Sequence, residues 1–424
     1  MSTTSSTNQA SNSSSKTLKS SKIEKLVFGG NGISRSGGLV TFVPFSAPGD
    51  VLDLTVTKEK KTFRFAKIKT ILKKGPDRRE PLCPHFQTCG GCQLQHLNYP
   101  AQIKAKQDFL TDALKIDRVT VHPSQDEWHY RSHIRLNLNK SGKGFEMGFI
   151  AIDNRTIVTP SYCPIFSSDK ALFNEIKNSL KTLSNQGIKS ASLRVFKQDE
   201  SVILAFSSFP KLPNNAQGFS FAKGVCYKAP GQEKRFGNTT LEKRILNLPV
   251  KFSPFGFMQN NLPLSEKLYQ TAIDWIGKTP KRIYDLYCGI GITSAFLAEQ
   301  NHQVTGVELN KSHVPCNASF EMKYGAVEKV LPGLQEAPDV ILVNPPREGL
   351  SKAVYPLLKT PMLIYISCNP STLARDIKGL SKSYEVEKVE GFDLFPQTTH
   401  LETIALLKSK KIPSINARDF FLRS

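Results

Sequence analysis

The spacing of hydrophobic and polar positions changes twice along this chain of 424 residues. Between residues 21 and 74, apolar and polar positions alternate, as in LVTFVPFSAPGDVLDLTV and FRFAKIKTIL, with glycines and a Pro-Gly turn between the runs. Alternation with a period of two is typical of half-buried β-strands. Several short strands at regular spacing predict a small β-barrel of the oligonucleotide-binding type.

The middle of the chain, from residue 75 to 255, mixes helical and strand patterns. AQIKAKQDFLTDALKI has the spacing of a helix, whereas HIRLNLN, ASLRVF and VILAFSS are typical of strands. These segments predict a central α+β domain.

From residue 256 to 408, short apolar runs alternate with helix-like segments. In chain order the segments are RIYDLYC, TSAFLAEQ, QVTGVEL, KSHVPCNASFEMKYG, DVILVN, MLIYISC, TLARDIKGL and ETIALLK. Strand and helix in alternation predict a doubly wound, Rossmann-like sheet of mostly parallel strands. Ligands bind such sheets at the carboxyl ends of the strands.

The two ends of the chain carry none of these patterns. Residues 1–20 are rich in Ser, Thr and Asn without an apolar run, so we expect a disordered tail and no secretion signal. Residues 409–424 form a short extension to which we assign no function. A transmembrane helix is excluded because no run of about eighteen apolar residues occurs. Eight cysteines without a secretion signal are typical of a reducing compartment, so we expect a cytoplasmic, monomeric protein.

The strongly positive net charge of the chain indicates that it binds a polyanion. The chain has 57 Lys and Arg residues against 36 Asp and Glu, and a net charge of +21. The first 80 residues contain 15 of these basic residues and only 6 of the acidic ones. The basic residues of the predicted barrel strands are Lys58, Lys60, Lys61, Arg64, Lys67, Lys69, Lys73 and Lys74. A basic barrel suits the phosphate backbone of a nucleic acid, although lysines also occur on barrel edges merely as solvated residues.

Three cysteines cluster within ten residues in LCPHFQTCGGCQLQHL. Cys83, Cys89 and Cys92 have the spacing C-x5-C-x2-C, and a Gly-Gly pair before Cys92 lets the backbone wrap around a bound centre. Cys163, in SYCPIF, is followed by proline as Cys83 is, and we take it as the fourth ligand. Four thiolates bind either zinc or an iron–sulfur cluster, and His85 keeps the zinc alternative open.

A glycine turn follows the first strand of the predicted Rossmann-like sheet. In DLYCGIGITS, Gly289 and Gly291 allow a ligand to approach the backbone at a helix N-terminus. Glu308 ends the next strand, where an acidic side chain can bind two ribose hydroxyls. NAD and S-adenosylmethionine both carry such a ribose. Ser294 stands at the third glycine of the dinucleotide fingerprint, which favours a nucleoside ligand without a diphosphate.

Two further strand ends complete the predicted cleft. Asn344 begins the rigid segment NPPREGL, where it can present a polar side chain to a planar base. Cys368 lies in YISCNPSTLARD, between a buried strand and a helix that we expect residues 371–372 to cap. This cysteine is either a small core residue or a nucleophile whose thiolate the helix amides stabilise. Arg375 and Asp376, farther along the helix, are assigned to a solvated face.

Together these motifs resemble the bacterial RNA (uracil-5-)-methyltransferase family, most closely its 23S ribosomal RNA branch. The matching segments, in the family's order, are FVPFSAPGD, CPHFQTCGGCQLQHL, YRSHIRL, FGFMQNN, DLYCGIGITS, VELN, NPPREGL, YISCNPSTLARD and DLFPQTTHLETIALL. They extend from about residue 23 to 407, nearly the whole chain. The resemblance implies a class I methyltransferase domain using S-adenosylmethionine, a TRAM-type barrel, a [4Fe-4S] cluster and a central domain that contacts RNA.

Residue by residue, the resemblance implies that Cys368 is the nucleophile and Glu402 the general base. It implies that Phe257 lies near a flipped base and that the four cysteines described above hold the cluster. The residues expected at S-adenosylmethionine are Gln259, Tyr287, Gly289, Gly291, Glu308 and Asn344.

The expected chemistry accounts for these residue types. Uracil C5 is a poor nucleophile, and a thiolate that adds to C6 makes C5 an enolate carbon able to accept a methyl group. A base must then remove the C5 proton so that the thiol can leave. The uridine must leave its stack to reach the thiol, so we expect a flipped base in a single-stranded or loop region.

One residue departs from the family pattern, because Asn344 stands where relatives usually have Asp. An amide keeps a carbonyl acceptor and gains a donor, but it loses a charge. Two alternatives therefore accompany methylation of 23S rRNA: the same chemistry on transfer RNA, and a non-catalytic RNA-binding homologue. Relatives acting on transfer RNA usually lack the barrel and the cluster, so their presence favours 23S rRNA.

Overall fold

The computed structural model describes residues 16–36, 38–142, 144–167, 170–183, 188–209, 211–213, 218–311, 316–317 and 319–411. The predicted tail up to residue 15 and the predicted extension from residue 412 lie outside the described residues. The chain divides into two compact units: residues up to 80 with 96–98 form the first, and residues 81–95 with those from 99 onward form the second. The cysteine segment therefore shares a unit with the Rossmann-like sheet.

The first unit is a curled sheet of short strands. Its strands are β1 (Thr17–Lys22), β2 (Lys25–Leu26), β3 (Asn31–Ser36), β4 (Leu39–Pro44), β5 (Val51–Glu59) and β6 (Phe63–Lys73), in the order β1-β5-β6-β4-β3-β2. Ile23, Val43, Leu52, Leu54 and Ala66 form its small core. The prediction of a β domain here is confirmed. β1 begins inside the segment predicted as a tail, because an edge strand paired only with β5 exposes most of its polar side chains.

Most of the basic side chains predicted on these strands are exposed. The exposed ones are Lys58, Lys60, Lys61, Lys67, Lys69, Lys73 and Lys74. Arg64 is buried: its Nε donates to Thr41 Oγ1 at 2.8 Å, and its guanidinium lies 3.7 Å from a carboxylate oxygen of Glu59. The prediction that Arg64 belongs to a basic exposed surface is therefore wrong, because its charge is used within the sheet.

The second unit begins with the central α+β region. Its elements are α1 (Tyr99–Leu114), β7 (Thr120–His122), β8 (His133–Ser141), β9 (Gly144–Ile150), β10 (Ile157–Val158), α2 (Lys170–Ser179), β11 (Ser190–Gln198), β12 (Ser201–Ser207), β13 (Gly224–Ala229), β14 (Gln232–Gly237), β15 (Leu241–Ile245) and β16 (Leu248–Phe252). One sheet has the order β10-β9-β8-β11-β12-β13-β14, and β15 and β16 form a hairpin. The predicted helix and the three predicted strands correspond to α1, β8, β11 and β12.

The remainder of the second unit forms the Rossmann-like sheet. Its elements are α3 (Leu262–Ile276), β17 (Arg282–Leu286), α4 (Ile292–Glu299), β18 (Gln303–Glu308), β19 (Glu321–Tyr324), α5 (Val327–Val330), β20 (Val340–Val343), β21 (Met362–Ser367), α6 (Pro370–Leu380), β22 (Tyr384–Phe392) and β23 (Glu402–Ser409). The sheet order is β19-β18-β17-β20-β21-β23-β22-β7. β23 runs antiparallel to both of its neighbours, and the other pairs are parallel.

Both faces of this sheet are covered, as a doubly wound fold requires. Ile283 and Leu342 pack in a core cluster with side chains of α3 and α4. Their strand neighbours Tyr284 and Ile341 pack in a second cluster with side chains of α5 and α6. The strand order reverses between β17 and β20, which opens a crevice at the carboxyl ends of these two strands. The prediction of a doubly wound sheet is confirmed.

The prediction of a helix over KSHVPCNASFEMKYG is wrong at the C-terminal end of that segment, where the structure has a strand. Residues 312–315 and 318 lie outside the described residues, and Glu321–Tyr324 is the edge strand β19. Its side chains alternate between exposed and half-buried as it pairs with β18, so burial on one face decided the conformation. In the described part of the chain, no helix is both long and apolar enough to cross a membrane.

Candidate active site

In the turn after β17, three alternate residues have a positive φ angle. Tyr287, Gly289 and Gly291 have φ angles of +62°, +60° and +69°. A Cβ on Gly291 would lie 2.2 Å from the ring of Phe320, so only glycine fits beneath the start of α4. A Cβ on Gly289 would meet nothing within 4 Å. The turn is therefore packed at Gly291 and leaves open space for a ligand at Gly289.

A cavity of about 500 Å³ opens beside this turn. The predicted residues that line it are Phe257, Gln259, Tyr287, Gly289 and Asn344. Phe257 is 68% exposed, and the Asn344 backbone N–H donates to the carbonyl of Leu286 at 3.1 Å. Residues from three separate segments thus meet in one cleft at the carboxyl edge of the sheet. The same cavity reaches Ile366, two residues before Cys368.

Two carboxylates lie at the turn, and the sequence analysis identified only one of them. Glu308 accepts the Gly289 N–H at 3.0 Å and the Asn310 N–H at 2.8 Å, so it is held beside the cavity. Asp285 lines the cavity, is buried, and accepts the Ser294 hydroxyl at 2.6 Å. Burial raises the pKa of Asp285 to about 7. An acidic residue inside the apolar strand RIYDL was the available signal, because a buried carboxyl needs a functional reason.

Strand register brings the predicted nucleophile and base together. β21 and β23 are antiparallel, and Ser367 stands opposite Thr403. Cys368 is the bend residue directly after β21, and Glu402 is the first residue of β23. Directly opposite residues of an antiparallel pair project to the same side of the sheet with Cβ atoms about 5 Å apart. The strand ends that carry Cys368 and Glu402, 34 residues apart in sequence, therefore lie side by side, and the Glu402 carboxylate is close enough to act on the Cys368 thiol.

The thiol and the carboxyl both hold their protons more tightly than usual. Burial, and next the carboxylate of Glu402, raise the pKa of Cys368 to about 11. Burial raises the pKa of Glu402 to about 8. The Arg347 guanidinium favours the ionised form of both groups. In the protein without RNA, both shifts favour the protonated thiol and the protonated carboxyl.

The helix α6, which follows Cys368, begins earlier than the sequence predicted. Asn369, rather than residues 371–372, is the N-cap, and its side chain accepts the Ser371 N–H at 3.0 Å. Pro370 occupies the first helical position, where its fixed φ suits the helix and no N–H is available. The predicted cap was wrong because the Asn-Pro pair begins the helix earlier than the Ser-Thr pair.

The assignment of Arg375 and Asp376 to a solvated face is wrong for Asp376. Its carboxylate is fully buried and accepts from the Tyr365 hydroxyl at 2.5 Å and the Leu350 N–H at 2.8 Å. Arg375 donates to Asp376 at 2.7 Å and to the Glu348 carbonyl at 2.6 Å. These bonds hold the loop that carries Arg347 against α6, which also begins next to Cys368.

The four predicted cluster cysteines line a second cavity, of about 70 Å³. Cys83, Cys89, Cys92 and Cys163 surround it, and the side chain of Arg131 contributes to its wall. Burial raises the pKa of Cys92 to about 11 and that of Cys163 to about 12. Within the described residues, no three His, Cys, Asp or Glu side chains converge closely enough to hold one metal ion. The thiols enclose a space instead of meeting at a point.

Comparison with known proteins gives relatives over the whole chain. A protein-family model described as tRNA (Uracil-5-)-methyltransferase matches residues 335–410. An uncharacterised RNA methyltransferase of Protochlamydia amoebophila is 37% identical, over 91% of this chain and 96% of its own. The 23S rRNA (uracil(1939)-C(5))-methyltransferase RlmD of Shewanella halifaxensis is 30% identical, over 94% and 96%.

A solved structure is similar over nearly the same extent. It is the Pyrococcus abyssi tRNA (uracil-54, C5)-methyltransferase in complex with S-adenosyl-L-homocysteine, which is 25% identical to this chain. The match has a TM-score of 0.71 and covers 92% of this chain and 99% of the archaeal one. So high a coverage includes a counterpart of most of the first unit.

Proposed function

Because the chain belongs to the RNA (uracil-5-)-methyltransferase family, we propose that it methylates C5 of a uridine in 23S rRNA with S-adenosylmethionine as donor. The observation that supports the proposal is the pairing of β21 with β23, since Cys368 directly follows the one strand, Glu402 begins the other, and Ile366 of β21 lines the large cavity. A thiol and a carboxyl close to one another are the pair that uracil C5 chemistry needs.

The cleft beside the glycine turn fits S-adenosylmethionine. Gly289 leaves the backbone open to a ligand, and the Glu308 carboxylate next to it suits the two hydroxyls of a ribose. Gln259, Tyr287 and Asn344 line the same cavity and would contact the remainder of the molecule. Gly291 supports the turn from behind. When bound, the cofactor supplies a methyl group on a positively charged sulfur.

Cys368 begins the reaction by adding its Sγ to C6 of the uracil. The electrons of the C5–C6 double bond then move toward the C4 carbonyl, and C5 becomes nucleophilic. A thiol with a pKa near 11 is a poor nucleophile in the protein alone, so the RNA complex must favour the thiolate. Arg347, which already favours ionisation of this thiol, is the protein cation in place for that purpose.

Glu402 completes the reaction after C5 has been methylated. Its carboxylate accepts the C5 proton, the C–H electron pair becomes the C5–C6 double bond, and the C6–Sγ bond breaks with its electrons on sulfur. A carboxyl whose pKa lies near neutral pH suits a general base, because it can accept and release a proton at the working pH. Burial of Glu402 therefore serves the chemistry and not only the packing.

The mouth of the cavity suits a flipped nucleotide. Phe257 exposes its ring there and offers a stacking surface for a base. Lys228, Arg235 and Lys251 line the same cavity and offer positive charge to phosphates. Asn344 would read the uracil with its amide in place of the usual carboxylate. The exposed lysines of the first unit, proposed as a TRAM-type RNA-binding sheet, extend the basic character of the protein.

The four enclosing cysteines fit a [4Fe-4S] cluster better than zinc. Each thiolate of such a cluster binds a different iron, so the ligands stand around a space. A single zinc ion needs its four ligands within about 2.3 Å of one point. Arg131 lies beside Cys92 and Cys163 and would offset part of the cluster's negative charge.

The presence of the first unit does not by itself favour 23S rRNA over transfer RNA as the substrate. The Pyrococcus protein named for transfer RNA covers 92% of this chain, so the first unit does not separate the two substrates. The relative named for 23S rRNA, at 30% identity over 94% of this chain, supports the ribosomal substrate. Transfer RNA is the second candidate, because the archaeal structure and the family model both carry that description.

The test is methyl transfer from labelled S-adenosylmethionine to 23S rRNA fragments and to transfer RNA transcripts. Wild-type protein should label 23S rRNA at uridine C5, and Cys368→Ala should label neither RNA. Cys226→Ala, a change at a buried cysteine of β13, is the matched control and should label 23S rRNA as wild type does. Labelling by Cys368→Ala would refute the nucleophile, and labelling of transfer RNA alone would refute the ribosomal target.

A further inference from the structure

The segment that leads into Glu402 is a polar connection held inside the protein. Residues 393–401 join β22 to β23, and Asp393, Gln397 and Thr398 are fully buried. Lys106 of α1 pairs with Asp393 and donates to the Phe395 carbonyl at 3.1 Å. Buried loops are rare because each of their polar groups needs a partner. This one is therefore held in a single arrangement by its partners.

Gln397 is the centre of that arrangement. Its φ of +69° is unusual for a residue with a side chain, and the bonds around it hold the strained backbone. The Gln397 N–H donates to Gln102 Oε1, and Gln102 Nε2 donates to Gln397 Oε1, both at 2.9 Å. Gln397 Nε2 donates to the carboxylate of Glu127 at 3.1 Å and to its carbonyl at 3.2 Å. Both polar ends of the side chain thus bind elements far away in sequence.

The same residue joins the segment to the cysteine loop. The backbone N–H groups of Gln93 and Leu94 donate to the Gln397 carbonyl at 3.0 and 2.9 Å. The Thr399 N–H donates to Gln93 Oε1 at 3.4 Å. Gln93 directly follows Cys92, so these hydrogen bonds connect the loop around the cysteine cavity to the segment before Glu402.

We propose that Gln397 is a positioning residue for Glu402, holding residues 393–401 between α1 and the cysteine loop so that the carboxylate reaches the C5 proton. The inference rests on the proposed function. It concerns one step only, in which Glu402 takes the proton, the C5–C6 double bond re-forms and the C6–Sγ bond breaks. The earlier addition of Cys368 depends on β21 and α6, whereas the hydrogen bonds of Gln397 described above run to α1, to Glu127 and to the cysteine loop.

Gln397→Gly separates this role from general stability. Glycine adopts a positive φ without cost, and the backbone carbonyl that accepts from the cysteine loop is retained. The variant loses the side-chain bonds to Gln102 and Glu127. The matched control is Asn301→Gly, which replaces an exposed residue of similar φ, +66°, outside the site.

The experiment follows the covalent protein–RNA adduct on denaturing gels in a single turnover with S-adenosylmethionine and 23S rRNA fragments. Gln397→Gly should form the adduct at the wild-type rate within about two-fold but release methylated RNA about 10-fold to 100-fold more slowly, because a small misplacement of a reacting group costs that much. Glu402→Gln is the reference that must accumulate adduct, and Asn301→Gly should resemble wild type.

The outcomes distinguish the two proposals. If Glu402→Gln does not accumulate adduct, the base assignment is wrong, and the inference about Gln397 is refuted with it. If Glu402→Gln accumulates adduct while Gln397→Gly releases RNA at the wild-type rate, the positioning role is refuted alone. Equal loss of adduct formation and release in Gln397→Gly would also refute it, since that pattern belongs to a residue needed for folding.

Discussion

Release of methylated RNA from the covalent adduct should depend on a single ionisation near pH 8. Burial raises the pKa of Glu402 to about 8, above its usual value, so the carboxylate that accepts the C5 proton predominates only above that pH. With this pKa, about 10% of the groups are ionised at pH 7 and about 90% at pH 9. The release rate should therefore rise about nine-fold between these pH values and level off above them.

The assay is a pH jump after the adduct has formed. Wild-type protein is mixed with labelled RNA and S-adenosylmethionine at one pH, diluted into buffers from pH 6 to 10 at constant ionic strength, and sampled on denaturing gels. Constant ionic strength matters because phosphate contacts make RNA binding strongly dependent on salt. Starting from the adduct removes the ionisation of Cys368 from the measurement.

The control is Glu348→Gln, which removes an exposed carboxylate on the loop next to Cys368. It should keep the inflection near pH 8, whereas Glu402→Gln should release slowly at every pH. A release rate that does not change between pH 6 and 10 would refute the role of a Glu402 ionisation in this step. An inflection that survives in Glu402→Gln would show that another group is the base.

Three further outcomes follow from the same geometry. Protein prepared without oxygen should be brown with a broad visible absorption band, and the Cys163→Ala variant should lack that band. A colourless wild-type protein with one zinc ion per chain would contradict the iron–sulfur cluster. Gly291→Ala should lower the melting temperature more than Gly289→Ala. Both changes force alanine to a positive φ, which costs about 1–2 kcal/mol, but only the change at Gly291 also adds a clash with Phe320. Equal melting temperatures would refute the close packing. Lys67 and Lys69 are both exposed on β6, and replacing either with alanine should lower the number of counterions released on RNA binding by about one. This number is read from the slope of the logarithm of the binding constant against the logarithm of the salt concentration. An unchanged slope would show that the first unit does not contact the RNA.

Much of the fold follows from local pattern. The periods of two and of three to four residues predicted α1, β8, β11 and β12, and the alternating segments predicted the doubly wound sheet. The strand β19 was missed because its four residues form an edge strand whose partner lies outside the local sequence. Arg64 and Asp376 were assigned to the surface by residue type, yet each is buried with hydrogen-bonding partners that come from elsewhere in the fold.

The sequence by itself determined which chemical groups are available: the glycine turn, the cysteines, the thiol at a strand end and a family pattern linking them. Local spacing suffices for these because a turn or a strand end is made by neighbouring residues. Only the tertiary structure decided that the strand ends carrying Cys368 and Glu402 are neighbours, because β23 inserts antiparallel between β21 and β22. Burial then raised the pKa of both groups, and the hydrogen bonds of Gln397 to α1 and to the cysteine loop depend on tertiary packing that no local pattern shows.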